Sequence, residues 1–137
     1  MTVRETHQVR PTTPLAVPTR AQQPCPCGSG TTYAACCGPL HRAERQAATP
    51  EELMRSRYAA YALGEVDHVW RTWHPRTRPE RVVHDPTTTW TGLDVLRAQD
   101  DVVEFVASHR SPDGAGRMHE VSRFERRAGR WFYVGPA

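Results

Sequence analysis

Four cysteines, all that this 137-residue chain contains, follow the spacing C-x-C-x8-C-C within thirteen residues. They form two short pairs, Cys25 with Cys27 and Cys36 with Cys37, and the sequence Gly-Ser-Gly directly follows the first pair. Two such pairs, brought together by a chain reversal, supply the four thiolates that a tetrahedral zinc ion binds. Glycine permits the positive-φ backbone that the reversal requires. The spacing therefore predicts one structural zinc ion, whose four protein ligands leave no position for water or substrate.

Two alternatives to a zinc site stay open for the four cysteines. They can form two disulfides in any of three pairings, but that framework belongs to oxidising compartments, and the sequence shows no secretory signal pattern. Four unrelated free thiols are the second alternative, although crowding every cysteine into one short window argues against it. His41 follows the cluster closely, and we leave it out of the ligand set because four cysteines already complete the shell.

The residues around the cysteines resemble the SEC-C motif, a small zinc module known from the C-terminal tail of the bacterial preprotein translocase ATPase. The resemblance implies that the four cysteines are the zinc ligands. It is carried by nine positions: Cys25, Cys27, Gly28, Ser29, Gly30, Tyr33, Cys36, Cys37 and Gly38.

A second resemblance extends over most of residues 24–137. The sequences LMRSRYAAYALG at 53–64, TWHP at 72–75, SRF at 122–124 and the closing GRWFYV are similar to those of the YchJ-like family of bacterial proteins. This resemblance implies a body with the α+β cone of nuclear-transport-factor-2-like proteins. It leaves the biochemical role open.

The first predicted element after the cysteine segment is a helix that begins after Thr49. Thr49 is suited to cap it, Pro50 to occupy its first position and Glu52 to complete a capping box. Apolar residues then recur at i, i+4 and i+7, and Gly64 is placed to end the helix.

A second short helix and then strands follow. An apolar stripe over 66–73 closes before Pro75, and residues 76–89 show no period and are expected to form a loop. From Trp90 onward the pattern favours strands, at 93–98, 102–110, 117–126 and 130–134. Helices followed by an antiparallel meander predict an α+β fold, with a helix-backed curved sheet after the zinc knuckle.

These elements divide the chain into four predicted segments. Residues 1–23 are polar and rich in proline, and we expect a disordered tail. The zinc knuckle occupies 24–40, and a short charged linker occupies 41–48. The α+β body occupies 49–137, and we expect it to fold as a domain of its own.

The cone-shaped fold usually has a pocket between its helices and its sheet, and six polar or aromatic residues are candidates to line it. Alternation on the third strand places Glu120 and Arg123 on opposite faces, but the sequence does not decide which face is concave. Each candidate also has a packing alternative: the aromatic residues could be core, the histidine a capping residue, and the two charged strand residues an ion pair. The six are Arg57, Tyr61, Trp73, His74, Glu120 and Arg123.

The leading functional hypothesis is a cytosolic zinc-binding protein whose knuckle is a structural or protein-interaction module. Tyr33 is the candidate contact for a protein partner, or alternatively packs over the zinc site. The second hypothesis is a small-molecule-binding enzyme of the lyase, isomerase or hydrolase type that uses the pocket. No catalytic residue is assigned, because the sequence holds no Ser-His-Asp set, phosphate-binding glycine loop or paired carboxylate motif.

Nucleic-acid binding is disfavoured by the charge of the knuckle. Residues 24–40 contain no Lys or Arg, and zinc with four thiolates carries a formal charge of −2, so the predicted patch repels phosphates. The whole chain carries a net charge of only +3. No segment approaches the roughly 20 apolar residues that a membrane-spanning helix requires. We therefore expect a cytoplasmic protein.

Overall fold

The computed structural model describes residues 17–137, so most of the predicted disordered tail lies outside the described residues. Two single-turn 3-10 helices, Arg20–Gln22 and Tyr33–Ala35, precede and follow the first cysteine pair. The helices are α1 (Gly38–His41), α2 (Pro50–Leu63) and α3 (Val66–Arg71). The strands are β1 (Thr89–Gln99), β2 (Val102–Ser111), β3 (Gly114–Arg127) and β4 (Arg130–Pro136). This order confirms the predicted α+β fold.

The four strands form one antiparallel sheet in the order β1-β2-β3-β4. β1 begins at Thr89, earlier than predicted, and its register against β2 shifts between Trp90 and Gly92 and again between Val95 and Arg97. Each shift breaks the period-two alternation, which is why the pattern underestimated the length of this strand. The sheet bends at such irregularities, and α2 packs against it.

Helix α2 begins and ends where the sequence predicts. The Thr49 hydroxyl accepts a hydrogen bond from the backbone N–H of Glu52 at 3.1 Å. The Glu52 carboxylate reaches back to the N–H of Ala48 at 2.7 Å, one residue before the cap. Gly64 ends the helix with a φ of 79°, a left-handed conformation that favours glycine. The buried side of α2, which includes Leu53, packs on the sheet.

The N-terminal cysteine segment packs onto this body. Cys27, Cys37 and Tyr33 lie in the same buried cluster as Leu53 and Met54 of α2. The segment and the body therefore share one apolar core, although independent folding of 49–137 stays a prediction.

His41 differs from the sequence expectation of a solvated linker. It is the last residue of α1, and its side chain is only 6% exposed. Its Nε2 lies 2.8 Å from the backbone carbonyl oxygen of Ser56 in α2. The sequence missed this because the partner is fifteen residues away, in another element. Within residues 17–137, no helix is both long enough and apolar enough to cross a bilayer.

Candidate functional site

The four cysteines converge on one point. Their Sγ atoms all lie within 4.8 Å of one another, with 3.5 Å between Cys27 and Cys36 and 3.8 Å between Cys36 and Cys37. A zinc ion with Zn–S bonds of about 2.3 Å would hold its ligands about 3.8 Å apart at the corners of a tetrahedron. The cluster therefore has the composition and the dimensions of a site that binds a metal ion.

Glycines and a short bridge bring the two cysteine pairs together. Gly28 and Gly30 have φ values of 80° and 91°, which favour glycine over any L-residue. An isolated antiparallel bridge between Pro24 and Thr32 closes the reversal. The first pair lies in this loop, and the second pair follows the 3-10 turn Tyr33–Ala35.

The thiols interact with one another, and no disulfide joins them. Hydrogen bonding with Cys25 lowers the pKa of Cys27, while the same interaction raises the pKa of Cys25 to about 11. The Ser29 hydroxyl lies 3.1 Å from Cys36 Sγ. Without metal, one thiolate is thus stabilised by its neighbours, and a bound cation would favour the ionised form of all four.

Two arginines from outside the knuckle reach its backbone. Nη1 of Arg55, on α2, donates to the carbonyl of Cys27 at 2.8 Å, and Nη2 of Arg45 donates to the carbonyl of Cys36 at 3.5 Å. A count of charges over residues 24–40 alone misses both. Each of these arginines also pairs with a carboxylate of α2, Arg55 with Glu51 at 3.0 Å and Arg45 with Glu52 at 2.7 Å, so the folded patch gains no net positive charge from them.

Tyr33 packs beneath the knuckle surface. It is 6% exposed, and its hydroxyl is hydrogen-bonded to Nδ1 of His41. A Cβ on Gly38 would lie 2.9 Å from the Tyr33 carbonyl oxygen, so the backbone approaches closely here. The structure therefore places Tyr33 in the packing role that the sequence offered as its alternative, and not at an accessible contact surface.

A cavity of about 350 Å³ lies between α2 and the concave face of the sheet. Four of the six predicted pocket residues line it, which leaves His74 and Arg123 elsewhere. The lining residues are Met54, Arg57, Tyr58, Tyr61, Trp73, Trp90, Phe105, Ala107, Met118, Glu120, Ser122 and Tyr133.

Arg57 is the cation of this cavity. It is 5% exposed, and its Nη1 donates to the carbonyl of Val69 at 2.7 Å and to the Thr72 hydroxyl at 2.8 Å. Its guanidinium lies 5.0 Å from the ring centroid of Trp73 and 4.5 Å from that of Tyr133. Desolvation lowers the pKa of Arg57 to about 10, so the side chain remains charged at neutral pH.

Glu120 is the acid of the cavity. Its Oε2 accepts hydrogen bonds from the Ser122 hydroxyl at 2.6 Å and from the Tyr133 hydroxyl at 2.7 Å. Burial, and then the hydrogen bond to Glu120, raise the pKa of Tyr133, so the phenol stays protonated and donates. Within residues 17–137, no ion pair joins Glu120 to Arg57, and the two opposite charges share the cavity without a direct contact.

The two remaining predicted residues have structural contacts. His74 is 4% exposed, and its Nε2 lies 2.8 Å from Oε1 of Glu125. Arg123 lies on the other face of β3, 4.0 Å from a carboxylate oxygen of Asp101. Arg123 therefore takes part in a surface ion pair, whereas Glu120 lies on the opposite face of the strand, because strand residues three apart point to opposite faces.

Sequence reasoning missed most of the aromatic lining. Tyr133 belongs to the predicted last strand, and alternation alone did not reveal that its hydroxyl reaches Glu120. Trp90 was noted only as the start of the strand region, yet its ring packs edge-on against Tyr58 at 6.1 Å between centroids.

Comparison with known families matches both parts of the chain. Residues 49–136 match the family described as YchJ, middle NTF2-like domain, and residues 23–39 match the SEC-C motif. A UPF0225 protein of Deinococcus radiodurans is 54% identical over 129 residues, which are 93% of this chain and 98% of the relative. A UPF0225 protein of Streptomyces coelicolor is 47% identical, with coverage of 81% of this chain and 92% of the relative.

Two solved structures are similar to this fold. The solution structure of a SEC-C motif containing protein from Rhodopseudomonas palustris has a TM-score of 0.74 and 40% identity, and the match covers 82% of this chain and 96% of that one. The crystal structure of a SEC-C motif containing protein from Psychrobacter arcticus has a TM-score of 0.68 and 26% identity, covering 86% and 84%. Both predicted resemblances are thus confirmed.

Proposed function

This chain belongs to the YchJ-like family of SEC-C motif proteins, and on that premise we propose that it is a zinc protein whose NTF2-like cavity binds a small molecule. In this proposal the zinc is structural. The observation that carries the proposal is a cavity of about 350 Å³ in which Arg57 and Glu120 face the same space without pairing. Small-ligand sites are mostly apolar cavities of about 300–1,000 Å³ with a few polar groups.

Zinc is the metal that best suits the cysteine cluster. Four thiolates in tetrahedral arrangement select zinc or an iron-sulfur centre, and a single-metal shell of four cysteines is typical of structural zinc. The thiols are not paired as disulfides, which is consistent with a reducing cytoplasm. The metal's role would be to hold the loop containing Cys27 against α2, since Cys27 and Leu53 are part of one core.

The cavity has the features of a binding site and not of a packing defect. A packing defect is lined by apolar groups alone, whereas this one contains a buried cation and a hydrogen-bonded carboxylate. Buried charges are retained where they have partners, and a ligand can be that partner. Should the bound molecule also react, the Glu120 carboxylate is the general base positioned to accept a proton, because it lines the cavity whereas His74 does not.

The test is to close the cavity entrance with a bulky residue. Met118 lines the cavity and is 39% exposed, so Met118→Trp should block entry without disturbing the core. Leu96→Trp, at a position 56% exposed and not among the cavity residues, is the matched control. We expect a library of small fragments to shift NMR resonances of cavity residues in the wild type and in Leu96→Trp, and to bind at least about tenfold more weakly in Met118→Trp. Fragments that bind none of the three proteins, or that bind all three equally, would refute the proposal.

A second candidate function is a protein contact through the tip of the knuckle. The residues flanking Tyr33 are exposed and uncharged, whereas Tyr33 itself is buried. Such a surface suits a partner that brings apolar or cationic groups to it. The tip residues are Thr31, Thr32, Ala34 and Ala35.

This second candidate is tested by adding charge to the tip. Thr32→Glu combined with Ala35→Glu places like charge beside the metal-thiolate centre and leaves every cysteine in place. We expect zinc content to stay the same, and a partner that meets this surface with apolar groups to be lost from the proteins captured from cell lysate. An unchanged set of captured proteins, identified by mass spectrometry, would refute the contact.

A further inference from the structure

We infer that the ligand of the cavity is a small monocarboxylic acid with an apolar or aromatic body, whose carboxylate pairs with Arg57. This inference rests on the proposed function, because it specifies which small molecule the cavity takes. It is carried by the two hydrogen bonds that Arg57 donates and by the N–H groups of Arg57 that donate to no residue within 17–137.

Arg57 has a free edge. Its guanidinium carries five N–H groups, and both N–H groups of Nη1 are engaged, by Val69 and by Thr72. Nε and Nη2 donate to no residue within 17–137. These two nitrogens lie side by side on one edge of the guanidinium plane, which is the edge that binds a carboxylate through two parallel hydrogen bonds. Neither nitrogen is among the fully buried side-chain atoms that lack a partner, so this edge is open to the cavity and can receive an acceptor.

The rings around Arg57 fix the plane in which that acceptor must lie. Trp73 and Tyr133 lie 5.0 and 4.5 Å from the guanidinium carbon, measured to the ring centroids. Aromatic faces stabilise the cation and hold its orientation, and the bonds to α3 and its C-terminal end hold it from the other side. The edge carrying Nε and Nη2 is therefore pre-oriented, and a planar carboxylate matches it better than a spherical anion does.

Glu120 limits the ligand to one negative charge. Its carboxylate lines the same cavity, and its Oε2 accepts hydrogen bonds from two hydroxyl groups. A second negative charge on the ligand, as in a phosphate or a dicarboxylate, would meet like charge in a desolvated space. Its Oε1 accepts no hydrogen bond from any residue within 17–137, so a hydroxyl or amino group on the ligand would have an acceptor there.

The rest of the cavity wall suits an apolar body. Apart from three polar or charged residues, the lining consists of aromatic and aliphatic side chains, among them Trp90, Phe105 and Met118. The indole Nε1 of Trp73 is buried and has no hydrogen-bond partner among the described residues. A volume of about 350 Å³ lies near the lower end of the range for small-ligand pockets, so the body is of the size of one or two rings.

The experiment uses matched pairs of compounds that differ only in charge. The zinc-loaded full chain is titrated with phenylacetate, 3-phenylpropionate and indole-3-acetate, and with the primary amide of each, and binding is followed by NMR shifts of cavity residues. We expect each carboxylate that binds to do so at least about tenfold more tightly than its amide, because a hydrogen bond between two charged groups is stronger than one between a charged group and a neutral one. Arg57→Met should remove this preference, whereas Arg123→Met, on the other face of β3, should keep it.

A second variant keeps the test valid if Arg57→Met fails to fold. Glu120→Gln removes the negative charge of the cavity and keeps the shape of the side chain, so it should strengthen carboxylate binding several-fold and leave amide binding unchanged. Equal affinity of carboxylates and amides in the wild type would overturn the ligand class while leaving cavity binding intact. A carboxylate preference that survives Arg57→Met would overturn the role of Arg57. If no compound of either kind shifts the cavity resonances, the inference fails, and the fragment library then decides separately whether the proposed function fails as well.

Discussion

The cysteine cluster and the cavity both bury ionisable groups, but they differ in whether those groups find partners within the chain. In the cluster, each thiol lies within 4.8 Å of the other three. In the cavity, Arg57 and Glu120 keep hydrogen-bonding atoms that no residue within 17–137 engages. A site whose polar groups are complete once one metal ion is added is structural. A site whose polar groups still lack hydrogen-bond partners is suited to bind a ligand that enters and leaves.

Helix α2 connects the two regions. Arg55 donates to the knuckle through Cys27, and Arg57, two residues later, faces the cavity. Both arginines are anchored by backbone carbonyl oxygens, yet only Arg57 is buried. The same helix thus uses one arginine to attach the knuckle and another to place a charge in the cavity. Changes in the knuckle should affect stability more than changes in the cavity.

The largest expected effect comes from removing a metal ligand. Cys27→Ala should abolish binding of one zinc equivalent and lower the free energy of unfolding by more than about 3 kcal/mol, because structural zinc contributes about 10–16 kcal/mol of binding free energy to the segment it closes. Elemental analysis and denaturant unfolding measure the two quantities. Ser29→Ala is the matched control, since it removes a contact to Cys36 Sγ and no ligand. Zinc retained in Cys27→Ala, or two disulfides in the wild type, would contradict the metal assignment.

Removing the whole knuckle tests whether the two regions depend on each other. The chain shortened to 45–137 loses Tyr33 and His41, which pack against or bond to α2. We expect it to remain folded, with a melting temperature lower by roughly 15 °C. This shift corresponds to a loss of about 2–4 kcal/mol in the free energy of unfolding, since a loss of 1 kcal/mol lowers Tm by about 4–8 °C in a domain of this size. Calorimetry measures the transition. A molten or insoluble product would show that the knuckle completes the core of the body.

Lowering the pH should weaken the junction between the regions. Burial, reinforced by the nearby His41, lowers the pKa of His68 to about 3, from an ordinary value of 6.5. Between these values the unfolded chain binds a proton that the folded chain does not, so stability is complete above pH 6.5 and falls with decreasing pH. From pH 7 to pH 5 the expected loss from His68 is about 2 kcal/mol. His68→Gln should make the free energy of unfolding less dependent on pH. The glutamine amide would still donate a hydrogen bond to the Ser56 hydroxyl, as His68 Nε2 does.

The same experiment requires a check on the metal. Burial also lowers the pKa of His41, so a residual slope should remain in His68→Gln. Zinc content must be measured at each pH, and the comparison made only where it is constant, because thiolate protonation releases the metal. Identical slopes in the wild type and the variant would contradict the contribution of His68.

The smallest expected effect lies within the cavity itself. Tyr133→Phe removes the 2.7 Å hydrogen bond to Glu120 and leaves the ring in place, so it should lower the free energy of unfolding by only about 1 kcal/mol. Glu120→Gln combined with Tyr133→Phe gives the coupling between the two residues in a double-mutant cycle of denaturant unfolding. A loss above about 3 kcal/mol would mean that the cavity is part of the stabilising core, and would remove the distinction from the cysteine cluster.

The amino-acid sequence by itself determines the elements that depend on near neighbours. The four cysteines lie within thirteen residues, so their spacing and the glycines between them were enough to predict a metal cluster. The start of α2 was predictable because Thr49 and Glu52 interact within one turn. Strand alternation likewise separated Glu120 from Arg123.

The tertiary structure alone decided which residues of different elements contact one another. Alternation assigns two faces to β3 but gives neither a partner, and only the folded structure shows that the Glu120 face is the one toward α2. The hydrogen bond between Glu120 and Tyr133 joins residues thirteen apart on two different strands, which no local pattern reveals. Local sequence determines conformation through short-range sterics and hydrogen bonds, whereas burial, charge pairing and cavities arise from residues far apart in the chain. The cysteine cluster was therefore predictable from the sequence, whereas the sequence supplied four residues of the cavity but not their arrangement.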